Sequence, residues 1–306
     1  PQAESYSAWL PRASITYHYS EDISVFLSAQ RGYRAGGTYV QSTILDGIPV
    51  TLQDSYDPEY LTNFELGLRT YYPDHALTIN GSVFYSTLED QQISLPGPTG
   101  NSLDVFTANV GETEIYGLEV SSSYAATDSL NIYATLGLLH AEFTEFPFAT
   151  QVPDSQFFTL NGNEPELAPG ITFSIGMSYK HASGAFADVN VSYIDGAETG
   201  VENLREEDLV NPEIPGSFVD LGIDPALAEG LDETADSRTN VNLRLGYEHE
   251  NFKLALFGTN IFDDDTPLSQ GFARVTAANG GLNFFSEPFF KVQQPRTLGI
   301  QVDFSL

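Results

Sequence analysis

The most regular feature of this chain is a two-residue alternation of apolar and polar side chains. From Thr297 to Leu306 every second residue is Leu, Ile, Val or Phe, and the residues between them are Thr, Gly, Gln, Asp and Ser. The same period recurs in 171–180 and 239–248. Because successive side chains of a strand point to opposite faces, the pattern predicts β-strands with one apolar and one polar face.

Similar segments predict about eleven strands, each close to the ten residues that a tilted membrane-spanning strand needs. No long helix is expected to interrupt them, although the acidic stretch 224–234 is a candidate for a short one. The predicted strands are 8–20, 23–34, 60–72, 75–87, 114–124, 130–142, 171–180, 185–194, 239–248, 252–262 and 297–306.

The connections between these segments alternate between short and long. Long structureless loops are uncommon in compact soluble domains, whereas outer-membrane barrels combine short periplasmic turns with long extracellular loops. We therefore expect an all-β, antiparallel transmembrane β-barrel with an apolar face toward lipid and a polar face toward a wet interior. The short turns are predicted at 20–22, 73–74, 125–129, 181–184 and 248–251, and the long connections at about 35–58, 88–105, 143–166, 197–237 and 263–294.

Composition narrows the possible functions. The chain has 42 Asp plus Glu against 12 Lys plus Arg, a formal net charge of −30, so a basic surface for nucleic acid is not expected. It contains no Cys, which excludes disulfides and thiolate metal sites within it. With 16 Tyr and 21 Phe it also differs from acidic disordered chains, which are poor in aromatics.

Eleven is an odd number of strands, whereas bacterial single-chain barrels normally have an even number. The sequence also begins on a strand-like segment and shows no signal peptide. We therefore expect that an upstream part of the protein is missing from this sequence.

Six short motifs resemble those of the TonB-dependent outer-membrane receptors, in the same order and at similar spacing. Together they cover nearly the whole chain and resemble the last half of that family's barrel. The motifs are Gln30–Gly37, Tyr56–Arg69, Val83–Gln92, Asn109–Glu119, Gly258–Asp263 and Pro295–Gly299.

The resemblance implies that 1–306 is the C-terminal part of a 22-stranded barrel, with the plug domain and the N-terminal strands absent. It also implies active uptake of a scarce ligand, a ferric siderophore or another iron complex, across the outer membrane of a Gram-negative bacterium. The expected partners are the TonB-ExbB-ExbD complex, acting through the missing N-terminal region, outer-membrane lipid and lipopolysaccharide, and the small-molecule ligand.

The final strand resembles the C-terminal signal that is read by the machinery inserting outer-membrane barrels. Gly299, Val302 and Phe304 match its pattern of a glycine followed by alternating apolar residues up to an aromatic. Ser305 and Leu306 follow the Phe and depart from the pattern, although Leu306 keeps the alternation.

Ligand contact is expected from the long loops and the upper lumen. Arg34 is a candidate contact for an anionic ligand, although such a residue more often pairs with a lumen carboxylate. For the aromatic candidates the alternative is the outer aromatic girdle. These candidates are Tyr33, Phe157, Phe158, Phe284 and Phe285.

Two acidic segments raise the question of metal binding. Loop 197–237 lacks the glycine-punctuated calcium pattern and is expected to be a solvated loop. Asp263–Asp265 directly follows a predicted strand and is expected to form a turn. The five His residues show no metal-binding spacing. We therefore expect neither a metal nor another cofactor.

The sequence shows no nucleophile elbow, phosphate loop or dinucleotide fingerprint, so an enzyme is not expected. Three alternatives to iron uptake stay open: a passive porin or channel, a receptor of the same family for a glycan or vitamin, and a soluble carbohydrate-binding or adhesive all-β protein. Ligand identity is not readable, because the loops that bind ligands vary most freely.

Overall fold

The dominant element of the computed structural model is one sheet of eleven antiparallel strands, each hydrogen-bonded to the next in chain order. The strands, numbered β1 to β11, are Arg12–His18, Ile23–Arg34, Glu59–Tyr72, Leu77–Glu89, Glu112–Thr127, Leu130–Glu145, Ile171–Lys180, Ala185–Ile194, Arg238–His249, Phe252–Thr259 and Thr297–Phe304. The predicted antiparallel β architecture is confirmed. The structure describes residues 5–45, 48–96, 105–109, 111–148, 158–159, 161–200, 210–211, 219, 225–228, 234–271, 274–276, 282–284 and 289–304.

Several strands are longer than the alternation predicts. β5 and β6 extend to Glu112 and Glu145 at the end that carries the long loops, because their hydrogen-bonded pairing continues past the apolar stretch. We call this the loop end, and the opposite end the turn end.

Helical structure in the described residues is confined to short 3₁₀ segments. Pro73–His75 forms one within the predicted turn between β3 and β4, and Ala76 closes it in the left-handed conformation. Pro225–Ala228 is another and lies inside the stretch 224–234 where a short helix was predicted. No helix in the described ranges is long and apolar enough to cross a membrane.

The long connections contain β-hairpins of their own, which the sequence analysis did not predict. Each connection pairs its outgoing segment with its returning segment, so the chain leaves the sheet as a ribbon rather than as a simple loop. The paired segments are Gly37–Leu45 with Ile48–Tyr56, Gln92–Pro96 with Val105–Asn109, Pro147–Phe148 with Phe158–Thr159, Ala197–Glu198 with Thr234–Ala235, Pro267–Gly271 with Phe289–Val292, and Arg274–Thr276 with Leu282–Phe284.

The strand register aligns the apolar residues into continuous rows on one face of the sheet. One such row, in which each residue is the cross-strand partner of the next, is Leu27, Leu66, Val83, Leu118 and Leu138. A row on the other face is Arg69, Asn80, Ser121, Thr135 and Ser174. Leu66 and Val83 are nearly half exposed although they are apolar. So large an exposed apolar surface fits contact with lipid rather than with water.

Aromatic side chains mark both ends of the apolar face. At the loop end Phe64, Tyr85, Tyr116 and His140 form a row of cross-strand partners. At the turn end Tyr72 and Tyr124 occupy the same face, each eight residues from the loop-end aromatic of its strand. Eight residues span about 27 Å along a strand, or about 20 Å of depth at a tilt of about 40°. That depth matches an outer-membrane apolar band bounded by two aromatic girdles.

The assignment of one face to lipid and the other to the lumen predicts that the two faces respond differently to an introduced charge. Val120 lies midway between Tyr116 and Tyr124 on the apolar face, and Ser121 is its neighbour on the polar face. We expect Val120→Arg to lower the unfolding free energy by about 2–4 kcal/mol, because it places a cation in hydrocarbon. We expect Ser121→Arg to change it by less than about 1 kcal/mol. Urea unfolding of the complete protein in detergent or lipid measures both, and equal losses would contradict the assignment.

Candidate functional site at the loop end

Side chains at the loop end tie the bases of two long connections to the sheet. Gln92 is nearly buried, and its Nε2 donates hydrogen bonds to the carbonyl oxygens of Ala35 and Asp57, at 3.0 Å each. The backbone N–H of Gln92 donates to Oε2 of Glu59 at 2.7 Å. A single side chain therefore connects the start of β3 with the end of β2 and with the connection after β4.

Asn109 completes this cluster from the far end of the same connection. Its Nδ2 donates to the carbonyl oxygens of Asp57 at 2.9 Å and Asp90 at 2.8 Å, and its Oδ1 accepts from the backbone N–H of Asp57 at 2.6 Å. We call Asp57, Glu59, Asp90, Gln92 and Asn109 the first rim cluster. Its members come from three of the motifs identified in the sequence, so those motifs mark the positions where loops leave the sheet.

A small hydrophobic core lies beside the first rim cluster. Phe143 and Phe146 are fully buried, with ring centroids 4.7 Å apart. Thr113 is also buried and donates a hydrogen bond to Oε1 of Gln91. At Gly111 the backbone has a φ of 55°, and a Cβ there would overlap the carbonyl of Glu145. Only glycine fits this close approach, which explains why Gly111 stands in the Asn109–Glu119 motif.

Gly36 and Gly37, at the end of the Gln30–Gly37 motif, make room for two tyrosines. A Cβ at Gly36 would overlap the carbonyl oxygen of Tyr56 and contact the ring of Tyr6, and a Cβ at Gly37 would overlap the Tyr56 ring. The hydroxyl of Tyr6 donates to the Tyr56 carbonyl at 3.3 Å. These contacts fix the point where the first long connection leaves β2.

A second rim cluster, formed by Asn242, Asn260, Asp264 and Gln294, holds the base of the last long connection. Asn260 is buried, with 2% of its surface exposed. Its Nδ2 donates to the carbonyls of Asp264 at 2.9 Å and Gln294 at 3.1 Å, and its Oδ1 accepts from the N–H of Asp264 at 3.0 Å. The N–H of Asn260 donates to Oδ1 of Asn242 at 3.1 Å. This one side chain therefore joins both ends of the connection.

Two of the consecutive aspartates after β10 accept hydrogen bonds from backbone N–H groups of neighbouring segments. Asp264 accepts hydrogen bonds from the N–H groups of Thr239 at 2.8 Å and Thr266 at 3.0 Å. Asp263 accepts from the N–H of Arg296 at 2.9 Å and lies 3.5 Å from its guanidinium. The turn itself lies at Ile261 and Phe262, just before the predicted position, and the N–H of Asp263 closes it by donating to the Asn260 carbonyl at 2.9 Å. Among the described residues no group of three or more His, Asp or Glu is arranged to hold a metal ion.

The predicted site residues fall on different faces of the sheet. Arg34 ends β2 on the polar face, opposite Glu59. Tyr33 lies on the apolar face, where its ring stacks on Tyr60 at a centroid distance of 6.3 Å. Arg31 shares that face, with its guanidinium 4.4 Å from the Tyr60 ring centroid. The position of Tyr33 therefore favours the aromatic-girdle alternative, while ligand contact by Tyr33 stays a prediction.

The aromatic candidates in the loops are placed only in part. Phe158 lies in the short hairpin strand Phe158–Thr159, and Phe284 ends the strand Leu282–Phe284. Phe157 and Phe285 lie outside the described residues. The sequence analysis did not single out Gln92 or Asn260 individually, although both stand in its motifs as uncharged polar residues at strand ends.

The three residues of the predicted insertion signal all lie in β11. Val302 and Phe304 are on the apolar face, about half and three-quarters exposed, and the Phe304 ring packs 5.2 Å from Phe252. Gly299 is on the polar face, opposite Phe257. Recognition of this strand by the insertion machinery stays a prediction.

We expect Asn260→Ala to destabilise the protein by about 1–3 kcal/mol, because it leaves buried backbone groups without a partner. Asn251→Ala, in an exposed short turn at the other end of the sheet, is the matched control and should be nearly neutral. Urea unfolding in detergent compares the two variants. An Asn260→Ala protein as stable as the control would mean that this cluster does not hold the connection.

The second rim cluster should also depend on pH. Partial burial would raise the pKa of the Asp264 carboxyl, but hydrogen bonds from Thr266 and the Thr239 N–H outweigh this and hold the pKa below its usual value. Because the folded-state pKa is lowered, the stabilisation is complete at neutral pH and is lost as pH falls through that pKa. Hydrogen exchange at the Thr239 amide, corrected for its intrinsic pH dependence, should show protection falling in acid. Asp264→Asn should remove this pH dependence and Asp265→Asn should keep it; the reverse result would contradict the assignment.

Solved structures share this architecture. The ferric yersiniabactin uptake receptor FyuA from Yersinia pestis matches 96% of this chain with a TM-score of 0.65 and 15% identity, and the match covers 37% of that receptor. The siderophore receptor PiuA from Acinetobacter baumannii matches 96% with a TM-score of 0.63 and 18% identity, covering 35% of that chain. The copper transporter OprC matches 96% with a TM-score of 0.58 and 18% identity, covering 39%. At these identities the likeness shows the fold.

This chain thus spans little more than a third of the length of the receptors that it resembles. A family model described as TonB dependent receptor-like, beta-barrel matches residues 1–261. The resemblance inferred from the motifs is confirmed. The chain belongs to the TonB-dependent receptor β-barrel family.

Proposed function

We propose that this chain is part of the barrel wall of an outer-membrane receptor that takes up a ferric siderophore or another iron complex by TonB-dependent transport. The observation that carries the proposal is a membrane-facing sheet whose long connections stand on hydrogen-bonded bases. Membership of the receptor family supports it. The energy-coupling TonB-ExbB-ExbD complex would act through a region that precedes this chain, in the outer membrane of a Gram-negative bacterium.

The rim clusters favour a ligand-binding receptor over a passive channel. Binding loops work best on a rigid scaffold, because a fixed base reduces the entropy lost when the loop closes on a ligand. Gln92 and Asn260 provide such bases for the connections that begin after β4 and β10. A passive pore does not need loops held in this way.

The polar face also presents cations despite the acidic composition of the chain. The guanidinium of Arg69 lies 4.8 Å from the Phe26 ring centroid. The guanidinium of Arg244 and the ammonium of Lys253 lie 5.8 Å and 5.0 Å from the Phe186 ring centroid. Contact with an aromatic ring holds a cation in position. Lys253 is in addition paired with Glu248 at 3.2 Å. Such groups can attract an anionic iron complex into the lumen.

Among the predicted contacts, Arg34 is the strongest candidate, because it lies on the polar face where the first long connection begins. Phe158 and Phe284 lie in loop hairpins, with Phe157 and Phe285 beside them in the sequence, and we propose them as contacts for apolar or catecholate groups. Tyr33 is the weakest candidate, because it faces the membrane side.

Uptake assays test the proposed cargo. A strain lacking the gene should lose uptake of iron-55 from at least one of a panel of ferric siderophores, and deletion of TonB should cause the same loss. Uptake that persists without TonB would indicate the passive channel. Unchanged iron uptake with loss of copper, glycan or vitamin uptake would overturn the iron assignment. Copper uptake is measured because the copper transporter OprC shares the fold.

Arg34 and Arg31 provide a matched pair for the ligand contact, since they lie three residues apart on opposite faces of β2. We expect Arg34→Ala to weaken binding of an anionic ferric siderophore about tenfold or more, as loss of a charged hydrogen bond would. Arg31→Ala should leave binding unchanged. Concentration-dependent uptake in whole cells measures both variants at equal receptor levels, and equal effects would remove Arg34 from the site.

A further inference from the structure

Five aromatic residues on the polar face lie directly over glycines of the neighbouring strand. In each pair the two residues are cross-strand partners, and a Cβ on the glycine would overlap the aromatic ring. The rings therefore lie flat along the wall instead of projecting into the lumen. The pairs are Phe26 with Gly67, Phe84 with Gly117, Tyr133 with Gly176, Phe186 with Gly246, and Phe257 with Gly299.

These pairs follow the connectivity of the chain. Every aromatic lies on an even-numbered strand and every glycine on the following odd-numbered strand, from β2–β3 to β10–β11. Each pair therefore joins two strands that are connected by a long loop, with one pair per connection. Strands joined by a short turn show no such pair within the described ranges.

Short turns and long loops constrain the pairing of their strands to different degrees, which explains why the aromatic–glycine pairs join only loop-connected strands. A tight turn sets the register of its two strands, because its length and backbone geometry allow few alternatives. A connection of more than twenty residues makes closure entropically harder. Its hairpin can continue the register of the sheet, as Gly37 with Tyr56 continues Arg34 with Glu59, but the turn that closes it lies beyond the sheet. A ring that fits only over a glycine selects the register within the sheet itself.

The contact itself is suited to the polar face. A glycine inside a strand exposes backbone and has no side chain to pack, which weakens the strand. A ring from the opposite strand covers that backbone and shields one of its own faces from water. A shift in register would move the ring onto a residue with a Cβ, and the contact would be lost.

We propose that these five aromatic–glycine pairs are register clamps, which select the correct pairing of the loop-connected strands while the barrel assembles. The proposal is independent of the ligand. A barrel whose clamp is broken should fold more slowly and populate shifted pairings, even where the final structure is reached.

The pair of Tyr133 and Gly176 can be tested against close controls. Tyr71 is a tyrosine on the same polar face, but its cross-strand partner is Thr78. Gly32 is a strand glycine with no atom within 4 Å of an added Cβ. Tyr133→Ala and Gly176→Ala should each slow folding about two- to fivefold, whereas Tyr71→Ala and Gly32→Ala should not. The assay is refolding of the complete, urea-unfolded protein into detergent or lipid, followed by its gel-mobility shift.

The double variant separates a clamp from a simple steric clash. Removing either residue already breaks the clamp, so Tyr133→Ala with Gly176→Ala should fold no more slowly than the slower single variant. If Gly176→Ala fails to fold, Tyr133→Ala alone decides the question. Normal folding of Tyr133→Ala, equal slowing by Tyr71→Ala, or additive slowing in the double variant would each overturn the proposal.

The register of a strand pair can be measured with introduced Cys pairs, because this chain has no Cys of its own that would form competing disulfides. Thr135 and Ser174 are native cross-strand partners beside the clamp, whereas Thr135 and Thr172 would face each other only after a shift. Cys pairs at these positions, with any Cys outside this chain replaced by Ser, report the two registers as disulfides during folding. The clamp predicts that Tyr133→Ala raises the shifted product and Tyr71→Ala does not. An unchanged product ratio in Tyr133→Ala would overturn it.

Discussion

The constraint on which this structure depends is the satisfaction of backbone hydrogen bonds where no water is present. Inside a bilayer an unpaired N–H or C=O costs several kcal/mol, so a strand can cross only when both its edges are paired. Nine of the eleven strands have a partner on each side, and β1 and β11 have one each within the described sheet. The free edges of β1 and β11 therefore each need a pairing partner before the sheet can cross hydrocarbon. The chain spans little more than a third of the length of the related receptors.

This constraint also explains why packing is concentrated at the ends of the sheet. In the middle, one face meets lipid and the other faces the lumen, so no layer of side chains is enclosed. The six buried apolar residues among those described lie instead mostly where long connections begin or end, as Phe143 and Phe146 do. The loop end is therefore the part of this chain that resembles the core of a soluble domain.

The strands could be predicted from the sequence because alternation is a local signal that every membrane-crossing segment repeats. Tyr33 was predicted as a ligand contact although it continues the apolar series of Ile23, Val25 and Leu27, and that alternation agrees with its place on the apolar face. Loop hairpins with strands such as Pro147–Phe148 were missed because these strands are too short to show a period. The first hairpin was also missed although its strands Gly37–Leu45 and Ile48–Tyr56 have nine residues each. The partners of Gln92 lie up to 58 residues away, and the aromatic–glycine pairs appear only once the register is known. Long-range pairing of this kind cannot be read from spacing along one chain.

The central claim is that alternate residues of each strand face lipid and lumen. A spin-label scan of consecutive positions from 117 to 124 in β5, in the complete protein reconstituted in lipid, tests it most directly. The account predicts that accessibility to oxygen peaks at Leu118, Val120 and Ser122, while accessibility to a water-soluble nickel reagent peaks at the positions between them. Accessibility without a two-residue period, or with equal exposure of both faces to the water-soluble reagent, would contradict it.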